Sequence, residues 1–139
     1  MKLSERQKVH YAKSELRQYK TLVKTESELV LKIDTVVAEI ASVKSSPVSF
    51  NGGTGVSSEG WKNDKREELV KLQESHRIYV NRIRLIHNFL NSLNCNDREL
   101  IENVYIRNKT IRSQSIQYNI SERQLKYEID KAMTRFKMT

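Results

Sequence analysis

The chain has 139 residues, 37% of them hydrophobic and 30% charged, with a net charge of +8. This length holds one domain or two small ones, the charge is too mixed for a disordered chain, and no run of about 18 uncharged apolar residues spans a membrane. The single cysteine, Cys95, excludes an internal disulfide and fits a reducing cytoplasm, while the basic balance favours an anionic partner, most often nucleic acid.

The opening MKLSERQKVH carries no apolar run of the kind a secretory leader needs. Ser4 followed by Gln7 offers a capping box, and a first long helix is expected over about 4–44. Tyr19, Leu22, Leu29, Ile33, Val36, Ile40 and Val43 follow a 3–4 spacing that only Glu26 interrupts. A flanking row, Val9, Leu16, Val23, Val30 and Val37, recurs every seventh residue. Two adjacent stripes make a wide apolar face.

All four glycines and the only proline fall within Ser45–Gly60. Proline and glycine cost a helix interior about 3 and 1 kcal/mol each, so their confinement to one segment predicts a flexible loop at 45–60 and helices elsewhere. Trp61 is expected to pin the start of the second helix, over about 62–93. There Leu69, Leu72, His76, Tyr79, Ile83, Ile86, Leu90 and Leu93 repeat the 3–4 spacing. Each seam covers 25 residues, roughly 37 Å of helix at 1.5 Å per residue. Equal seams joined by one loop predict a long antiparallel coiled-coil hairpin over 1–93, with packing on another body as the alternative. Glu26 and His76, polar on the seams, are candidates for fixing its register.

Asn94–Asp97 breaks the heptad. Leu100, Ile101 and Val104 predict a short helix from about Asp97 to Arg107, and Ile111, Ser115 and Tyr118 a second. Leu125, Ile129, Ala132, Met133 and Phe136 predict a third. Helices this short need mutual packing, so 94–139 reads as a trihelical unit. Asn119 stands where a sharp turn needs a residue tolerant of left-handed geometry. Ile120 is placed to tuck under that turn, and Ser121 with Gln124 forms an S-x-x-Q capping box. That is the layout of a helix-turn-helix, whose last helix reads bases in the major groove with its first turns. Glu122, Arg123, Lys126, Tyr127 and Asp130 point outward there. Arg123 and Lys126 suit guanine edges or phosphates, and Glu122 suits cytosine. From Arg107 onward there are eight cations against three acids, an excess of five. Lys109, Arg112, Arg123, Lys126, Lys131 and Arg135 are the candidates for neutralising phosphates.

The run Ile120-Ser121-Glu122-Arg123-Gln124-Leu125-Lys126-Tyr127, with Ala132, Met133 and Phe136, resembles the end of region four of bacterial primary-type sigma factors. The layout of long helix, Ser/Gly loop, second helix and helix-turn-helix resembles the RinA/ArpU-like phage late-transcription regulators. The resemblance spans most of the chain in layout and the C-terminal segment in motif. It implies a phage-encoded activator that binds promoter DNA, with RNA polymerase as a candidate second partner. Carried over by position, Arg123, Lys126 and Tyr127 face the major groove, with Glu122 beside them. Gln114 stands where that family has an aliphatic residue, Ile116 where it has a polar one, and Glu128 where it has an apolar one.

No enzyme is expected. His10, His76 and His87 lack metal-ligand spacing, so neither metal nor cofactor is expected. Asn51-Gly52-Gly53-Thr54-Gly55 lacks the Gly-Lys-Ser/Thr of a phosphate loop. The expectation is therefore a cytoplasmic, all-α regulator of double-stranded DNA, with homodimer formation through the hairpin as its candidate assembly and no membrane association. Two rivals remain open: a small packaging-type DNA-binding subunit, and a coiled-coil inhibitor or adaptor without DNA binding.

Overall fold

The computed structural model describes residues 4–45 and 58–138. Among them all regular structure is helical: α1 Glu5–Arg17, α2 Tyr19–Ser45, α3 Ser58–Ser92, α4 Cys95–Ile101, α5 Ile111–Tyr118 and α6 Glu122–Met133. None of these helices is long and apolar enough to cross a membrane. The segment expected as a loop lies almost wholly outside the described residues.

The single N-terminal helix expected over 4–44 is interrupted. Gln18 adopts φ −88°, ψ −2°, and its N–H is shared between the Ser14 and Glu15 carbonyls. The residues buried on either side are Ala12, Glu15 and Leu16 on α1 and Leu22, Leu29 and Val36 on α2. Ser4 and Gln7 make the reciprocal capping box that opens α1, at 3.2 and 2.9 Å. α3 starts at Ser58, ahead of the expected 62. Glu59 supplies a carboxylate in its first turn, which suits the positive end of the helix.

Contacts divide the chain into two compact units, and not at residue 93 as the heptads suggest. One joins Met1–Val23 with Asn81–Thr139; the other is Lys24–Val80. The reason lies in α1, which packs on α6 and on the turn after α4. Ala12 and Leu16 are fully buried there. Glu15, only 4% exposed, accepts from Arg82 Nε and Nη2 at 3.0 and 2.5 Å. The C-terminal helices are therefore completed by the start of the chain.

In that unit Asn94 caps α4, accepting from Asp97 N at 2.8 Å. After Ile101 the backbone widens into a π-helical stretch, Glu102–Ile106, and Arg107 N reaches back five residues to Glu102 O at 2.8 Å. The wider turn sends Asn103 and Tyr105 inward and leaves Val104 half-buried. Arg17 lies 5.2 Å from the Tyr105 ring centroid, and burial raises the Tyr105 phenol above its usual 10.0.

In the second unit Leu29 and Val36 are buried, and Ile33, Ile40, Leu69, Leu72 and Tyr79 are half-buried. Glu39 pairs with Lys65 at 2.7 Å, Lys65 also lies 5.6 Å from the Trp61 ring, and Glu26 meets His76 Nε2 at 2.9 Å. The flanking row behaves differently from the seam, because Val30 and Val37 are exposed.

Candidate nucleic-acid interface

Three short polar residues set the ends of α5 and the start of α6. Thr110 caps α5 and accepts from Ser113 N at 3.0 Å. Asn119 ends it in the left-handed region, φ 55°, ψ 45°. Its N–H reaches Ile116 O at 3.3 Å, and the Ile120 N–H reaches Ser115 O at 3.1 Å. These two bonds make a Schellman turn with asparagine in the position glycine usually holds. A second asparagine, Asn108 at φ 57°, bends the chain ahead of α5. Ser121 then caps α6, accepting from Gln124 N at 3.1 Å. The expected box is only half made: among the described residues the Gln124 side chain does not accept from the Ser121 N–H, and its Nε2 donates to Glu128 at 2.9 Å. Ile120 is not tucked under the turn; it is 37% exposed.

Leu125, Ile129, Ala132 and Met133 form the buried side of α6. The helix stops at Met133, so Phe136 and Arg135 lie beyond it. Phe136 still enters the core, its ring 5.3 Å from Phe89 and 6.0 Å from Tyr11. Asp130, expected to point freely outward, is held by Lys13 of α1 at 2.5 Å. Sequence reasoning missed Tyr11 and Lys13 altogether; Val9 and Leu16 in the flanking row were the available signal that this part of the chain has a partner of its own.

A buried polar pair supports α5 from below. Gln114 is 1% exposed, and its Oε1 accepts from Asn103 Nδ2 at 3.0 Å. Asn103 in turn accepts from Arg107 Nη1 at 2.6 Å, and its carbonyl accepts from Lys109 N at 2.8 Å. Gln114, which departs from the family pattern, is thus the partner that a buried amide requires. Gln114→Leu is expected to lower stability by about 1–3 kcal/mol in urea denaturation, because Asn103 loses its acceptor while buried. An unchanged midpoint would show that the pair carries no stability. Nearby, Tyr118 Oη is buried without a hydrogen-bond partner among the described residues. Burial first, and Glu99 second, raise its phenol above 10.0.

The candidate contact residues fall into three groups. Glu122, Arg123, Lys126 and Tyr127 occupy the first two turns of α6, all exposed, Tyr127 by 60%. Lys131 is exposed near the end of α6 and Arg135 just past it. Lys109 and Arg112 are exposed at the start of α5. None of these six cations has an acid within ion-pair distance among the described residues, whereas Arg107 is engaged by Glu102 at 3.4 Å. Two of the three local acids are occupied, Asp130 by Lys13 and Glu128 by Gln124. The start of α6 thus carries two solvated cations, Arg123 and Lys126, without an acid in ion-pair distance among the described residues, on a short helix with a fixed start. Such cations attract polyanions and offer guanidinium and ammonium donors to phosphates or base edges.

The chain matches no known protein family, curated protein or solved structure. Among the described residues, no group of three or more His, Cys, Asp and Glu side chains is placed to hold a metal ion.

Proposed function

We propose that the protein is a DNA-binding transcriptional regulator of the RinA/ArpU-like phage type, and that α5, the Asn119 corner and α6 act as its helix-turn-helix. The carrying observation is the exposed start of α6, where Arg123 and Lys126 stand without acidic partners directly after a left-handed corner and a serine cap. A helix presented in this way enters a major groove with its first two turns. Arg123 and Lys126 contact base edges, Glu122 and Tyr127 flank them, and Lys109, Arg112, Lys131 and Arg135 take phosphates. The mechanism is binding; no chemistry is assigned to the protein.

The remaining helices supply spacing and assembly. The pairs Glu26–His76 and Glu39–Lys65 step in opposite directions along α2 and α3, which supports an antiparallel coiled-coil hairpin. Val30 and Val37, exposed at heptad spacing, support pairing of two hairpins in a homodimer that sets two half-sites. RNA polymerase is the second partner in an activator's role at a late promoter. The same exposed valines favour one other reading, a coiled-coil adaptor that binds protein and not DNA.

Binding to a labelled duplex across a salt series separates the two. The regulator loses affinity steeply as salt rises, and Arg123→Ala or Lys126→Ala weakens binding to a selected site by about 1–3 kcal/mol with unchanged helicity. Absence of salt-sensitive DNA binding overturns the regulator in favour of the adaptor. A mass of eight or more chains would point instead to a packaging-type ring.

A further inference from the structure

We infer that the start of α1 belongs to the same DNA-contacting surface, and that the groove between α1 and α6 receives one sugar–phosphate strand, with Arg6 and Lys131 on its phosphates. This inference rests on the reading of α6 given above and adds a second element to it. The groove has a volume of about 480 Å³ and lies open to solvent. Arg6 and Val9 line it from α1; Tyr127, Asp130 and Lys131 line it from α6, and Thr134 from just past the end of α6. Pockets for small molecules enclose most of their ligand and converge a few polar groups on it. An open groove flanked by two long cations suits an extended polyanion.

Charge within the groove supports that occupant. Arg6 and Lys131 have no ion-pair partner among the described residues, and Lys13 neutralises Asp130 at 2.5 Å. Tyr127 adds an exposed phenol, a neutral donor of the kind that meets phosphate oxygens. Glu5, also in the lining, is the opposing charge that has no ion pair among the described residues.

Rigidity decides that α1 is part of the surface and not a flap over it. Its first turn is closed by the Ser4–Gln7 box, Ala12 and Leu16 are fully buried, and Glu15 is clamped by Arg82. Lys13 and Tyr11 tie it to α6 and Phe136. Moving α1 aside would open the core, so a duplex that reaches Tyr127 meets Arg6 where it stands.

The test compares wild type, Arg6→Ala, Arg6→Glu, Glu5→Gln and Arg123→Ala on two labelled duplexes, one carrying a selected site and one of random sequence, across a potassium chloride series. Thermal melting of each variant controls for folding; Arg6 is exposed, and wild-type melting is expected. Arg6→Ala should weaken both duplexes alike, by about three- to tenfold, and reduce the salt slope by about one, the signature of a lost phosphate contact. Arg6→Glu should weaken them further and Glu5→Gln should tighten them. Arg123→Ala should instead penalise the selected site more than the random one. Wild-type affinity and slope in Arg6→Ala, or tighter binding by Arg6→Glu, overturns the role of α1 while a weakened Arg123→Ala leaves α6 as the reading helix. If Arg123→Ala is also unaffected, or no duplex binds, both readings fall together.

Discussion

Leu16→Ala is expected to lower the stability of the protein by about 3–5 kcal/mol, measured as the shift of a urea midpoint. Leu16 has no exposed surface, and neither does its neighbour Ala12, one turn earlier on α1. Their helix packs on α6 and on the π-helical turn, so shortening Leu16 leaves a void at the centre of the unit that presents the candidate interface. Such a loss is a large fraction of the 5–15 kcal/mol typical of a folded domain. The substitution should therefore weaken the proposed DNA binding as well, although Leu16 touches no solvent. A cost below about 1 kcal/mol would mean that residues 94–139 fold without α1, against the packing described.

The second large effect is expected at Arg82. Glu15 is 4% exposed and accepts from two Arg82 nitrogens, while Tyr11 donates to it at 3.1 Å. Arg82→Met removes the countercharge and leaves a carboxylate in the interior. Breaking one side of a buried pair costs about 3–5 kcal/mol; with the Arg82 side chain 30% exposed, water reaches the site and the lower end applies. The companion change separates charge from packing. Arg82→Met combined with Glu15→Leu should recover most of the loss, because an apolar pair of similar size avoids the desolvation of both ions. If the double variant is as unstable as Arg82→Met alone, the arginine acts through its contacts with other groups, such as Gln18 Oε1 at 3.0 Å, and not through the carboxylate.

How much of this was legible in the sequence depends on which rule governs each element. Helical class followed from the confinement of glycine and proline, and the buried stripe of α6 followed from spacing at Leu125, Ile129, Ala132 and Met133. Asn119 was legible because few residues tolerate its backbone region, and Ser121 because caps use short side chains that reach a backbone N–H. Periodicity reports which face is apolar and not what covers it. Leu16 and Val30 occupy the same heptad row, yet Leu16 is fully buried and Val30 is 37% exposed. The partner of the Leu16 face is α6, more than a hundred residues away in the chain, and no local pattern encodes that pairing.

Two further residues depend on bonds that no spacing shows. Gln114 stands where the resembling family has an aliphatic residue, and the structure supplies Asn103 across from it at 3.0 Å. Asn103 is itself turned inward by the π-helical stretch, which shifts the helical register after Ile101. Ile120 looked like an anchor because it is apolar beside a turn. The turn is held by backbone bonds from Asn119 and Ile120, so its side chain is not needed beneath.

Of the contact residues, all eight proposed from the sequence are exposed, and those on the first turns of α6 stand together on one short helix. Exposure of charged residues is common and decides little by itself. The six cations of the set have no acidic partner within ion-pair distance among the described residues, a property they share with other surface cations such as Arg6 and Lys71. What distinguishes Arg123 and Lys126 is their place in the first two turns of α6, directly after the Asn119 corner and the Ser121 cap.

Selection of bound duplexes from a random-sequence pool, run in parallel with wild type and with an Arg123→Ala, Lys126→Ala double variant of unchanged helicity, tests the role of α6 most directly. Wild type should enrich a defined motif and the double variant should lose that motif while keeping weak, salt-sensitive affinity through the remaining cations. Enrichment of the same motif by both proteins, or of none by wild type, would contradict base reading by the start of α6.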